Sequence, residues 1–152
     1  MAKFSEQIND AITKTKVKSE FVFRESCRQV SFDIAEKTGV STGKLLGKWS
    51  PSINSIDDHE YSGGKSAWSH GKKNEAVASA NRTAAEANLF PRIISTTQAL
   101  SLRDKYYFTN STEYAPIAEH EGWEKTEAFR MVYNTVQEWK WIVADVLERY
   151  KS

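Results

Sequence analysis

Cysteine is nearly absent from this chain. Cys27 is the single one among 152 residues, so no internal disulfide can form, which suits a reducing compartment. Proline is scarce too, with three copies, and residues 4–38 contain neither proline nor glycine. Nothing in that stretch interrupts a helix. Long apolar runs are missing, none approaching the roughly 20 residues that a membrane span needs, so no membrane partner is expected. The start, Met1 to Glu6, leads into Asp10 and Lys14 without an apolar h-region, so no secretory signal is expected. Histidine is limited to His59, His70 and His120, scattered through polar segments. Zinc sites draw three or four nitrogen or sulfur ligands, and with the thiols missing no metal and no cofactor are expected. Net charge is only +1. A domain so near neutrality gains little from phosphate neutralisation, and no compact basic stripe with interleaved aromatics occurs, so sequence-specific nucleic-acid binding is not expected either.

What charge there is lies unevenly. Residues 1–50 carry nine Lys/Arg against six Asp/Glu, whereas residues 111–152 carry five against eight. Five of those acids fall between Glu113 and Glu127 with one lysine. Such a segment is either a solvated acidic loop or a surface that meets the basic face of another copy, head to tail.

At 152 residues, 39% hydrophobic and 27% charged, the chain reads as one globular domain spanning residues 1–152. Its most informative stretch runs from Lys105 to Leu147. Lys105 to Thr109 is a strand of β-formers with Tyr106 and Phe108 on one face. Asn110-Ser111-Thr112 breaks it, because short polar side chains bond nearby backbone. Tyr114 to Glu119 forms a compact elbow closed by Gly122. From Thr126, an expected N-cap, the period changes. Phe129, Val132, Tyr133, Val136, Lys140, Val143, Leu147 and Tyr150 make one stripe of an amphipathic closing helix.

The N-terminal third carries a first helical stripe, Phe4, Ile8, Ala11 and Ile12. A second consists of Phe23, Cys27, Val30 and Ile34. One long helix or two jointed near residues 13–18 would fit, with Gly39 ending it through a positive φ. The run Gly39 to Lys44 is not a phosphate-binding loop. It has three residues between its glycines where four are required, Leu45 follows the lysine, and a helix precedes it. It reads instead as a turn feeding a strand from about Leu45 to Ile53, where Trp49 and Ile53 share a face. Residues 54–71 form a long polar loop carrying Trp68, which either orders against a partner or packs back on its own domain. Lys72 to Asn88 reads as a helix with a shallow alanine face. Pro91 interrupts it or starts another; Ile93, Ile94, Thr97 and Leu100 fit a short helix, and Ile93–Thr97 could equally be a strand.

Catalytic patterns are missing. His120-Glu121-Gly122-Trp123-Glu124 lacks the second histidine of a zinc-protease helix, Cys27 lies on an apolar stripe, and no nucleophile elbow occurs. Glu119, Glu121 and Glu124 are the carboxylates a small hydrolase would use, but nothing marks a substrate pocket. The expectation is a non-enzymatic protein.

The order of these features resembles the tail-completion, or neck, proteins of tailed bacteriophages, also called minor tail or head–tail joining proteins. Those chains begin with a long helix and carry a Thr-Pro-Val-Asp-Thr-Gly-Arg segment leading to Trp. Here Thr38-Gly39-Val40-Ser41-Thr42-Gly43-Lys44, then Trp49, holds that place. The family then shows an Asn, a Tyr-Ala pair, a Glu, a Gly and a closing helix, matched by Asn110, Tyr114-Ala115, Glu119 and Gly122. The likeness runs from about Phe21 to the end. Gly39 stands where the family has Pro, Ser41 where it has Asp, and Glu119 to Gly122 holds one residue more.

This resemblance implies an α+β fold, a small mainly antiparallel sheet packed by a long N-terminal helix and a C-terminal helix. It implies a virion structural protein, in the host cytoplasm during assembly and then in the neck or tail. Its partners would be copies of itself in a ring, hexameric by the family pattern, and neighbouring neck, tail-terminator or tail-tube proteins. A host-directed or nucleic-acid binding module of the same fold is the alternative. Thr42, Gly43, Trp49, Trp68, Asn110, Tyr114, Ala115, Glu119, Glu121 and Gly122 are the motif and interface candidates.

Overall fold

A helix without internal breakers becomes one rod. In the computed structural model, which describes residues 3–123 and 126–151, α1 runs unbroken from Phe4 to Lys37. No joint forms near residues 13–18. Gly39 ends it differently from expectation, for its φ is not in the left-handed region. Its value is close approach: a Cβ there would lie 2.1 Å from Phe129 Cζ.

The next segment corrects the strand boundary. Leu45 and Leu46 belong to a single helical turn, α2 (Lys44–Gly47), and the strand β1 begins at Trp49 and ends at Ile53. Residues 54–67 form a loop whose end is tied down, with Ala67 buried. A small hairpin follows, β2 (Trp68–Ser69) and β3 (Lys72–Lys73), turning through His70 and Gly71 at positive φ. The expected helix therefore starts later, at Glu75, capped by Asn74 Oδ1 accepting from the amides of Ala76 and Val77. It also runs further. α3 (Glu75–Gln98) passes through Pro91 without ending, so Ile93 and Thr97 extend the face of Ala78, Ala85 and Leu89 rather than forming a separate element.

Strand β4 (Tyr106–Asn110) pairs antiparallel with β1 in the register Trp49 to Asn110 and Ile53 to Tyr106. This two-stranded sheet is the α+β centre expected. Trp49 stacks on Phe108 at 4.8 Å and donates through Nε1 to Thr38 Oγ1 at 3.0 Å. Around it Ile34, Leu46, Leu89, Ile93, Ala118 and Met131 close the core.

Arginines lock the helices across this core. Arg82 of α3 donates to the carbonyls of Ala35 and Thr38 at the end of α1. Arg24 and Arg28 of α1 reach the carbonyls of Leu100 and Ile94 at the end of α3. The two helices run antiparallel, and each supplies cations to the negative end of the other. Arg92 donates to the Gly47 and Trp49 carbonyls, fastening α3 to β1; its burial pulls its pKa down.

The closing helix departs most from expectation. After α4 (Ala115–His120), the chain re-enters a helix at Met131, with Arg130 at φ 49, and not at Thr126. It is split at Glu138 into α5 (Met131–Gln137) and α6 (Trp139–Lys151). The face turned inward is Met131, Thr135, Ile142 and Val146, one residue out of step with the expected stripe. Val132, Tyr133 and Val136 face outward, joined by Trp139 and Trp141. α6 packs antiparallel on α1, with Phe21 against Tyr150 at 5.1 Å and Lys37 Nζ 3.2 Å from the Glu138 carboxylate. That packing reaches only as far as Lys18, over which the Tyr150 ring lies. Lys3 to Val17 stand clear, every residue exposed.

Candidate functional site

The turn after α1 is held from three sides. Asn81 Nδ2 donates to the carbonyls of Ser41 at 2.6 Å and Lys65 at 2.7 Å, and Gly64 donates to the Thr42 carbonyl at 2.7 Å. Gly43 sits at φ +83, where a Cβ would come within 2.9 Å of the Asn81 carbonyl oxygen, so any side chain there is strained twice. These bonds bring the hairpin alongside the turn, with Trp68 beside Thr42.

The elbow forms the opposite wall. Asn110 ends the strand by donating to the Leu45 carbonyl at 2.7 Å and accepting from the Thr112 amide at 3.0 Å. Tyr114 follows, its pKa raised by burial and held back by a hydrogen bond with the Thr42 side chain. Gly122, at φ +72, closes the elbow: its amide donates to the Ile117 carbonyl at 2.7 Å, and a Cβ would meet the Ala128 nitrogen at 2.5 Å. Beyond it Trp123 and Thr126 exchange backbone bonds. Trp123 thereby lies 6.4 Å from the Tyr114 ring and 5.9 Å from the Phe129 ring.

Between these walls lies a groove of about 590 Å³ lined by Thr42, Gly43, Trp68, Tyr114, Trp123 and Phe129 among others. Trp68 and Trp123 keep 37% and 45% of their surface exposed, and Lys73 is the one charged side chain among the described lining residues. Glu113, Glu121 and Glu127 are exposed beside the lining residues Tyr114, Trp123 and Thr126. The wall is aromatic, and the exposed charges beside it are of both signs, with Lys44, Lys72 and Arg130 also next to lining residues.

Four of the sequence candidates, Thr42, Gly43, Trp68 and Tyr114, thus meet in one place. Ala115 packs against the core next to Tyr114, and Gly122 positions Trp123. Trp49 and Asn110 lie in the sheet, serving the core and the strand end. Glu119 is buried, and its two carboxylate oxygens accept from the amides of Val132 at 3.1 Å and Tyr133 at 2.8 Å. It is the cap of α5, supplied from another element because Arg130 cannot supply one. Glu121 points to solvent, and Glu124 lies outside the described residues. Trp123, Phe129 and Lys73 were missed as lining residues. Phe129 had been assigned to the helix stripe, and only the two-residue bridge beyond Gly122 turns Trp123 towards Tyr114.

The described lining of the groove is mainly aromatic and aliphatic, with Ser41, Thr42, Lys73 and Tyr114 as its polar side chains besides Thr126. Among the described residues no cluster of three metal-ligating side chains occurs, and no helix is long and apolar enough to cross a membrane. His59 is engaged with Asn88 at 2.9 Å. Cys27 is buried in α1, where desolvation pushes its thiol up to about 12, away from the thiolate a nucleophile needs. No family model, curated protein or solved structure matches the chain.

Proposed function

We propose that this chain is a structural protein of the neck of a tailed bacteriophage, a tail-completion or head–tail joining component that assembles into a ring. Six-fold symmetry follows from the family likeness in the order of Thr42-Gly43, Trp49, Asn110, Tyr114-Ala115, Glu119 and Gly122. Neighbouring neck, tail-terminator or tail-tube proteins are its other partners.

The observation that carries the reading is the amount of aromatic and aliphatic surface left without a cover at both ends of the chain. Phe4, Ile8 and Ile12 on the first helix and Tyr133, Val136, Trp139 and Trp141 on the last two are all exposed. Apolar surface gathered in this way is the mark of a protein that completes itself against neighbours. The role found for Glu119 points the same way, since both of its oxygens are committed to backbone amides.

Electron micrographs of particles assembled without this protein test the proposal. Separate full heads and finished tails are expected. Normally joined, infectious particles would remove the neck assignment. If instead the purified chain shifts DNA with a steep salt dependence, the host-directed or nucleic-acid alternative takes its place.

A further inference from the structure

We infer that two copies of this chain pair through the projecting halves of their first helices, antiparallel and about a two-fold axis, so that the row Phe4, Ile8, Ala11 and Thr15 of each copy covers that of the other. The inference goes beyond the neck reading and does not depend on it.

The row continues a seam that the fold already uses. Lys37 lies about eight turns beyond Ile8, and Lys18 about four turns beyond Phe4, so all four share one side of α1. Lys37 donates to the Thr135 hydroxyl and the Glu138 carboxylate, and Tyr150 lies over Lys18. That side is therefore the one on which α5 and α6 pack, and their cover ends where α6 ends, at Lys151. Before Lys18 the same side is bare among the described residues, with Phe4 76% and Ile8 42% exposed. A helix of about 15 residues is marginal in water by itself. Ile8, Ile12, Thr13, Thr15 and Val17 are β-branched and favour it only weakly. The projecting half gains from a cover.

The order of sizes selects a second copy of the same row. It reads large, large, small, small: Phe4, Ile8, Ala11, Thr15. Run antiparallel, Phe4 faces Thr15 and Ile8 faces Ala11, so every layer joins a large side chain to a small one. Thr15 is ready for burial, because its hydroxyl already donates to the Ala11 carbonyl at 2.9 Å. The flanks agree: Lys14 meets Gln7 on one side, Ile12 meets Ser5 on the other, and no like charges come together.

Other arrangements fit less well. Parallel pairing sets Phe4 on Phe4 and is blocked further along, since each copy's own α6 occupies the seam from Lys18 onward. In the antiparallel pair the two bodies lie at opposite ends. The start of each incoming helix then faces the carbonyl end of the other copy's α6, where the helix dipoles attract. The outer face of α5 and α6 is the rival partner. At the same spacing it offers Val132, Val136 and Trp139, with no small residue among them to receive Phe4 or Ile8. The pair is small, below the roughly 1,200–2,000 Å² of a standard interface, so it forms reversibly and at high protein concentration.

Disulfide trapping in the concentrated full-length chain tests this, with circular dichroism to check folding. The double variant Phe4→Cys/Thr15→Cys cannot close on itself, because about 16 Å of one helix separates the two thiols. Cys27 is buried and does not compete. Under mild oxidation the double variant is expected to give covalent dimers faster than Phe4→Cys or Thr15→Cys alone. Adding Ile8→Glu is expected to abolish those dimers, and adding Val136→Glu to leave them unchanged. Single variants that dimerise as fast as the double one would overturn the antiparallel pair in favour of a parallel one. Loss of the dimer with Val136→Glu but not with Ile8→Glu would move the contact to α5 and α6. A double variant that stays monomeric would remove the pair altogether. These readouts use the purified chain alone, so their failure removes this contact while the particle micrographs still decide the neck assignment.

Discussion

At position 119 a carboxylate occupies the one place in the elbow where two amides of a later helix lack partners. Arg130 precedes α5 in a left-handed conformation and offers no acceptor, so the helix start depends on a side chain 11 residues earlier. Glu119→Ala is expected to lower stability by about 1–2 kcal/mol, the cost of a lost N-cap, read as a shift in the urea midpoint. Glu119→Gln keeps one acceptor oxygen and should lose less. Trp49 is a larger case. Its ring is buried against Phe108 and its indole nitrogen is bonded, so Trp49→Ala should cost about 3–5 kcal/mol by the same measurement. Two buried acids also set a pH dependence. Burial raises Cys27 from 9.0 to about 12, and burial raises Tyr106 despite the opposing bond from Ser31. The unfolded chain releases the thiol proton first, so between pH 9.0 and about 12 it holds fewer protons than the folded chain. Stability is therefore full below that interval and falls as pH rises through it. Cys27→Ala is expected to flatten the fall, seen by comparing urea midpoints at about pH 8 and about pH 11.

The elements divide into those that hold one another and those that do not. α1 and α3 exchange arginines at their carbonyl ends, so Arg82→Met should leave the Ala35 and Thr38 carbonyls without a cationic donor and cost about 1–3 kcal/mol. The first half of α1 is the contrast. Since Lys3 to Val17 are all exposed and no described element covers them, deleting residues 1–13 is expected to leave the thermal midpoint within about a degree or two while removing helical circular dichroism signal. A drop of many degrees would mean that those turns are bound to the body after all. These elements also show how far the sequence could be read. The breaker-free run of residues 4–38 showed α1, and the alternation of Tyr106 and Phe108 showed β4. The end of α3 was hidden because Pro91 usually closes a helix, whereas Ile93 and Thr97 gain enough burial to carry this one past it. The phase of α5 and α6 was hidden for another reason. Val132, Tyr133 and Val136 are more apolar than Thr135, so periodicity alone turns the wrong face inward.

Across the whole molecule, unfilled surfaces lie at separate places: the row on α1, the aromatic groove, and the outer face of α5 and α6. One copy cannot cover all of these by itself, which is why the proposals above concern assembly. Thr42, Gly43 and Tyr114 were legible beforehand because the turn and the elbow carry recognisable short motifs, and Trp68 because a large aromatic stands out on a polar loop. Trp123 was not, because its direction is set by Gly122 and a bridge to Thr126.

By itself the sequence determined that residues 4–38 are helical, that strands lie around Trp49 and Tyr106, and that Gly122 closes the elbow. These follow from local rules, namely periodicity, turn chemistry and the steric freedom of glycine. Only the tertiary structure decided that Glu119 caps a distant helix, that Val132, Tyr133 and Val136 face water, and that the first turns of α1 and the aromatic groove stand at opposite ends of one rod. Those depend on which faces meet across the core, and burial free energy is settled by neighbours that lie far away along the chain.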